Sequence, residues 1–314
     1  MNADLLRVIA DRARLVPDRH RVFDQDASVV QRVFRIGAPV LSALLDLGFP
    51  HRTSGEEQYF DELDLANASL ALRLPSPRYL AMRRWPDVLR AVVDNRPFRY
   101  DVEVAAECES PDPGHRCDFR PRAEALVLGA SPSGAAGEFT LSLEVGATGR
   151  AADAPPELGR LFAEVSGFEF YFLPEALRRD LSFLAETSLA DCELATWFLV
   201  RRATEEQWEA RRSFGLLLSS PYSLEHYWPE IRLDGAWTAF DPHLINSLVR
   251  WEVLAPDEVS AEQALNSAFC RVAEDWISLV EDAGHPARIS LLTRRRPLAG
   301  GSPAATTPGQ EVAR

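Results

Sequence analysis

The stretch that decides the fold is residues 225–242, which read EHYWPEIRLDGAWTAFDP. Asp234-Gly235 is a strong signal for a two-residue hairpin, because a type I′ turn needs positive φ at both central positions. The stretch therefore predicts two antiparallel strands joined at this turn. Pro242 ends the second strand, since proline has no amide hydrogen to give to the ladder.

This hairpin brings two polar side chains together. His226 shares one face of the first strand with Trp228, because side chains alternate between faces with a period of two. Pairing outward from the turn sets Asp241 opposite Trp228 and diagonal to His226, at the open end of the hairpin. A carboxylate beside an imidazole fixes its tautomer and stabilises its protonated form, as a catalytic base requires.

A third candidate, Cys192, lies upstream at the start of a helical pattern. Asp191 is a suitable N-cap for that helix. A thiol in the first turn lies at the positive end of the helix dipole, and a protonated histidine nearby favours the thiolate further. Each residue alone has an ordinary structural explanation, but the ordered combination of Cys192, His226 and Asp241 favours a nucleophile, its base and the residue that orients the base.

This combination resembles the transglutaminase-like superfamily of papain-type cysteine enzymes over about residues 185–245. The resemblance is carried by Cys192, Ala195 and the segments 212–215, 226–231, 233–237 and 240–242. It implies a papain-like core, in which a helix bearing the cysteine packs on an antiparallel sheet bearing the histidine and the aspartate. It also implies that Cys192 is the nucleophile, His226 the base and Asp241 the orienting residue.

Three positions depart from the pattern of that superfamily. Ala190-Asp191 stands where a glycine or serine usually precedes the cysteine, Tyr227 replaces a small residue, and His243 replaces a threonine. Tyr227 and His243, with the neighbouring Trp228, are therefore predicted candidates for the substrate cleft. Tryptophans are nevertheless more often core residues than ligand contacts.

The charge of the chain limits its partners. The formal net charge is −13, which argues against a nucleic-acid partner, because phosphate binding needs a basic surface. All 34 basic residues are arginine. The absence of lysine excludes a Schiff-base lysine and a P-loop lysine.

The sequence predicts a cytoplasmic protein without a membrane partner. The first residues lack the features of a signal peptide, and no apolar run reaches membrane-spanning length. Thiols stay reduced in the cytoplasm. Cys108, His115 and Cys117 cluster in one predicted loop, but a further ligand at zinc-site spacing is missing. We therefore interpret these cysteines as incidental thiols and predict neither a metal nor another cofactor.

Changes in residue pattern divide the chain into four predicted parts. These are a helical N-terminal region (1–96), an antiparallel β meander (97–150), a catalytic core with a C-terminal helix (151–298) and a disordered tail (299–314). The predicted strands of the meander are 98–106, 118–128 and 138–145. The C-terminal helix is predicted over 260–283 and contains Cys270, and a short strand is predicted over 288–292.

The sequence thus predicts an α+β protein that performs acyl transfer through a Cys192 thioester. The thiolate attacks an amide or thioester carbonyl, and His226 protonates the leaving group and then activates the acceptor. An amine acceptor, the favoured alternative, gives amide-bond formation in a biosynthetic pathway. Water as acceptor gives an amidase or peptidase, and a non-catalytic binding module on the same fold is the third alternative. The expected donor is a peptide, an amide or a thioester, with an acyl or peptidyl carrier protein as a candidate partner.

Overall fold

The computed structural model describes residues 3–108, 116–132, 137–146 and 153–298. Within these ranges the protein is a mixed α+β structure, and its sheets of three or more strands are antiparallel. The predicted disordered tail, 299–314, lies outside the described residues.

Eleven helices lie in the described ranges: α1 Ala3–Leu15, α2 Ala27–Arg32, α3 Ala38–Asp46, α4 Glu62–Ala71, α5 Pro77–Met82, α6 Trp85–Val93, α7 Ala123–Val127, α8 Pro156–Glu164, α9 Leu181–Thr187, α10 Cys192–Glu205 and α11 Pro242–Arg250. Several begin at a carboxylate that accepts hydrogen bonds from the first free amides. Asp61 caps α4 through the amide of Leu63, and Asp191 caps α10 through the amide of Leu194. Such a cap is worth about 1 kcal/mol.

The described strands are β1 Phe23–Asp26, β2 Arg52–Ser54, β3 Glu57–Asp61, β4 Phe98–Glu107, β5 Phe119–Pro121, β6 Ser131–Pro132, β7 Glu138–Val145, β8 Glu169–Phe170, β9 Leu189–Ala190, β10 Ala210–Leu217, β11 Leu224–Leu233, β12 Ala236–Ala239, β13 Phe269–Ala273, β14 Val280–Asp282, β15 His285–Pro286 and β16 Arg288–Pro297. Two four-stranded sheets dominate, with the orders β12-β11-β10-β13 and β16-β4-β7-β6. The short pair β8–β9 is parallel.

The first of these sheets contains the predicted hairpin. Asp234 and Gly235 join β11 to β12 with φ values of 49° and 81°, so both have the positive φ that the turn was predicted to need. Glu230 pairs with Ala239. Continuing that register sets Asp241 opposite Trp228, as predicted.

Strand β10 separates two parts of the core. Leu216 packs in an apolar cluster with Val102 and Leu141 of the second sheet. Leu217, on the opposite face, packs in a different cluster with Trp228. Because alternate residues of β10 enter different clusters, the two sheets and the elements around the hairpin are packed together through this strand.

The predicted helix over 260–283 is wrong. A 3₁₀ turn, Asn266–Ala268, leads instead into β13, where Leu217 of β10 pairs with Phe269. Apolar residues at helical spacing suggested the helix, but pairing with β10 and packing of Phe269 against Trp228 decide the local structure. Cys270 therefore lies in a strand.

Several other elements differ from the prediction. The segment 118–128 is a short strand, β5, followed by α7, because Pro121 cannot continue a ladder. The N-terminal region contains a three-stranded sheet, β1-β3-β2, among its helices. The short strand predicted over 288–292 extends to Pro297 and pairs with β4.

The two cysteines of the predicted loop are joined. Cys108 and Cys117 form a disulfide, so the interpretation of these residues as incidental thiols is wrong. His115 lies outside the described residues. The free cysteines are Cys192 and Cys270. Among the described helices, none is long and apolar enough to cross a membrane.

We predict that Gly215→Ala destabilises the protein. Gly215 lies on β10 opposite His226 and next to β13, where a Cβ atom would overlap the carbonyl oxygen of Cys270. Because that neighbour is backbone and cannot turn away, the substitution should lower the free energy of unfolding by about 1–3 kcal/mol. Urea unfolding measures the change. Gly167→Ala is the control, since nothing lies near its Cβ position, and it should stay within about 0.5 kcal/mol. Equal stability of the two variants would contradict the prediction.

Candidate functional site

The hairpin places His226 and Asp241 in direct contact. The imidazole Nε2 lies 2.6 Å from Oδ2 of Asp241, and both residues are 4% exposed. A distance this short between buried groups is typical of a charge-assisted hydrogen bond. The carboxylate thus fixes the orientation of the ring, and Nδ1 is left for another partner.

The second oxygen of the Asp241 carboxylate begins a helix. Its Oδ1 accepts a hydrogen bond from the amide of Leu244 at 2.9 Å, so Asp241 is the N-cap of α11. Pro242 occupies the first helical position, where a missing amide hydrogen costs nothing. Both carboxylate oxygens are therefore occupied, and the side chain has little freedom to turn away from His226.

The third predicted residue, Cys192, lies near His226. Cys192 is the first residue of α10, and it lies near enough to His226 for its charge and a hydrogen bond to raise the pKa of the imidazole. Cys192 is partly exposed, whereas His226 and Asp241 are buried. The structure therefore brings the three predicted residues together, and Cys192 is the most exposed of them.

The charge state of His226 follows from opposing effects. Burial alone would lower the pKa of His226, but the charges of Cys192 and Asp241 and the hydrogen bonds to both raise it to about 10. The folded protein therefore holds the imidazolium through neutral pH, although the ordinary pKa of histidine is near 6.5. A protonated imidazole next to a thiol is the form that stabilises a thiolate nucleophile.

An aromatic wall accounts for the burial of the ring. His226 lies nearly parallel to Phe269 of β13 at a centroid distance of 5.7 Å, and Phe269 stacks on Trp228 at 4.5 Å. Phe269 was not predicted as part of the site. The residues of β13, FCRVA, do not alternate between polar and apolar, and the preceding alanines and leucine gave a helical pattern, so no strand signal pointed to Phe269.

The predicted cleft residues Trp228 and Tyr227 are core residues. Trp228 is fully buried. Tyr227 is 6% exposed and lies on the opposite face of β11 from His226. The Tyr227 hydroxyl accepts a hydrogen bond from the amide of Trp276 at 2.7 Å, and burial raises its pKa to about 12. This burial contradicts the prediction that these side chains line a cleft.

His243 is also buried, at 2% exposure, and so it does not line a cleft either. Burial lowers its pKa to about 4, so the ring is neutral, and its Nε2 donates to the carbonyl oxygen of Ala190 at 3.2 Å. Ala190 precedes Asp191 and Cys192. This hydrogen bond ties α11, which Asp241 begins, to the strand that leads into the cysteine helix.

The N-cap of the cysteine helix carries a charge partner of its own. Oδ2 of Asp191 lies 3.2 Å from Nε of Arg178, while Oδ1 accepts from Leu194. Burial raises the pKa of Asp191 to about 7, against the opposing effect of Arg178. Arg178 therefore helps to keep this carboxylate ionised beside the start of α10.

Metal binding finds no support around these residues. Within the described ranges, no group of three or more His, Cys, Asp or Glu side chains is placed to hold a metal ion.

Comparison of the chain with family models, curated proteins and solved structures found no match.

We predict that Cys192→Ala lowers the pKa of His226. Cys192 is among the groups that raise this pKa, whereas burial opposes the charged form and remains in the variant. The imidazole should therefore lose its proton at a lower pH in the variant than in the wild-type protein. NMR titration of the imidazole signals measures both values. An unchanged pKa would show that the thiol and the ring do not interact.

Proposed function

We propose that the chain is a transglutaminase-like cysteine enzyme with a papain-like core, and that it performs acyl transfer through a Cys192 thioester. One observation carries the proposal: His226 Nε2 lies 2.6 Å from the Asp241 carboxylate, and Cys192, at the start of α10, is near enough to raise the pKa of the same ring. A thiol at a helix N-terminus, with a base held by a carboxylate, is the arrangement required for nucleophilic catalysis.

The first half of the reaction forms the acyl-enzyme. The Cys192 thiolate attacks the carbonyl carbon of an amide or thioester, and the imidazolium of His226 gives its proton to the departing amine or thiol. The backbone amide of Cys192, in the first turn of α10, is the candidate donor to the developing oxyanion, since amides there lack an intrahelical acceptor. His226 is then neutral and able to act as a base.

The second half of the reaction passes the acyl group to an acceptor. We propose an amine, so that the reaction forms an amide bond in a biosynthetic pathway. His226 takes the proton that the amine loses when it attacks the thioester. The burial of His226 and Asp241 supports this choice, because an acceptor that binds over the sulfur is favoured over water when the base has little solvent contact. Tyr227 and His243 do not narrow the site, as they are core residues.

The proposed partners follow from this chemistry. A peptide, an amide or a thioester serves as the donor, and an acyl or peptidyl carrier protein is a candidate to deliver it. The cytoplasmic location stays a prediction, and the Cys108–Cys117 disulfide weighs against it, because disulfides persist mainly in oxidising compartments.

We predict that Cys192→Ala abolishes turnover and that Asp241→Asn lowers kcat by roughly 10²–10⁴-fold. Asparagine can still cap α11 through its side-chain oxygen, so this variant removes the negative charge and retains the helix start. Steady-state kinetics with a thioester donor measures both effects. Cys270→Ala should keep its activity, since Cys270 lies outside the triad. Turnover by folded Cys192→Ala protein would contradict the proposed function.

We predict that added amine diverts the product from free acid to amide. The measurement supplies one thioester donor, varies the amine concentration and determines the ratio of amide to acid by mass spectrometry. The ratio should rise with amine and then saturate, because the amine binds before it attacks. If free acid is the only product at every amine concentration, the enzyme is a hydrolase of the amidase or peptidase type.

A further inference from the structure

A cavity of about 890 Å³ opens between α5 and the loop that enters β11. This volume lies within the range of small-molecule sites, about 300–1,000 Å³. Neither Cys192 nor His226 lines the cavity, so it is not the triad itself. The residues that line the cavity include Arg78, Leu80, Arg83, Arg84, Pro221 and Tyr222.

The residues on one side of the cavity are connected along the chain to His226. Tyr222 precedes His226 by four residues, which at about 3.3 Å per residue in extended chain spans at most about 13 Å. Leu224 lies between them in sequence. Leu224 and Tyr79 of α5 pack against the same apolar cluster, the one that contains Trp228.

The other wall leads to Cys192. The Arg78 guanidinium lies over the Phe172 ring at 4.7 Å, and Phe172 packs edge to face against Phe170 at 5.0 Å. Phe170 of β8 pairs with Ala190 of β9, two residues before Cys192. The cavity is therefore connected to His226 along the chain and to the segment before Cys192 through a series of side-chain and strand contacts.

The lining combines apolar surface with uncompensated positive charge. Leu80 is 49% exposed and Tyr222 is 54% exposed, so both present apolar area to a ligand. Arg78 is paired with Glu62. Arg83 and Arg84 are exposed and have no ion-pair partner among the described residues, although acidic side chains outnumber arginines in the chain.

We propose that this cavity is the acyl-donor site and that it takes a donor with an anionic group at the end of an apolar chain. Arg83 and Arg84 bind the anion, a carboxylate or a phosphate, and Leu80 and Tyr222 contact the chain. The reacting carbonyl reaches Cys192 at the other end. This inference rests on the proposed function and names the donor class for that site.

The acylation step balances with a thioester donor. A bond forms between the Cys192 sulfur and the carbonyl carbon, and the bond from that carbon to the sulfur of the donor breaks. The released thiolate takes its proton from His226. No oxidant or reductant is needed, and the anionic end of the donor is unchanged.

The test compares three donors that differ only at the far end. They are the N-acetylcysteamine monothioester of sebacic acid, the same compound with its free carboxylate methylated, and the analogue that ends in a phosphonate. We predict that one of the two anionic donors, the carboxylate or the phosphonate, acylates the wild-type protein about tenfold faster than the methyl ester does. A difference of this size is expected for a charge-assisted contact. Thiol release gives the rate, and intact mass gives the adduct on Cys192.

Two double variants locate the effect. In Arg83→Gln/Arg84→Gln the ratio of anionic to neutral rates should fall close to one. The matched control is Arg7→Gln/Arg160→Gln, which removes two exposed arginines of α1 and α8 that do not line the cavity. The control should keep the wild-type ratio, and rising salt should lower that ratio, because exposed charges are screened. Thermal unfolding checks that both variants are folded.

The outcomes separate the two proposals. A faster carboxylate donor identifies a diacid-type donor and a faster phosphonate donor a phosphorylated one, and either supports the inference. Equal rates for all three donors, or a preference that survives in Arg83→Gln/Arg84→Gln, overturns it and leaves the proposed function intact. If no donor acylates Cys192, the proposed function fails. Calorimetric titration of Cys192→Ala with the three compounds then tests whether the cavity binds anions. Equal affinities for the charged and the neutral compounds refute the anion site.

Discussion

The carboxylate of Asp241 holds two parts of the molecule in one place. Oδ2 contacts Nε2 of His226, and Oδ1 accepts from the amide of Leu244 and so begins α11. The hairpin turn at Asp234-Gly235 determines which residues of β11 and β12 face each other, and thereby brings this carboxylate to the ring. Because a one-residue slip in register would move the carboxylate to the other face of the sheet, the site depends on the turn.

The remaining contacts of the site hold its charged groups in position. His243 of α11 donates to the carbonyl of Ala190, so the helix that Asp241 begins is joined to the segment that carries Cys192. Phe269 closes one face of the His226 ring. Burial of an imidazolium is costly by itself, and it is tolerated here because both neighbours of the ring are acidic groups placed to hydrogen-bond it.

Local sequence patterns correctly predicted structural features that depend on neighbouring residues. They failed where contacts between distant residues determine the structure. The Asp-Gly turn and the Asp191 cap rest on local backbone requirements, and both are present in the structure. The segment 260–283 contains apolar residues at helical spacing, yet it pairs with β10, a contact that periodicity cannot reveal. The burial of Tyr227, Trp228 and His243 likewise follows from packing against elements far away in the chain.

The last described strand has a consequence for how the chain acquires its structure. Strand β16 forms a ten-residue ladder with β4, pairing Arg288 with Glu107 at one end and Pro297 with Phe98 at the other. During synthesis, β4 therefore presents an unpaired edge until β16, which is far from it in sequence, has left the ribosome. Such distant pairing slows folding and leaves an open strand edge available to other chains. Loss of β16 by truncation would thus promote aggregation, even though the strand contributes no residue to the triad.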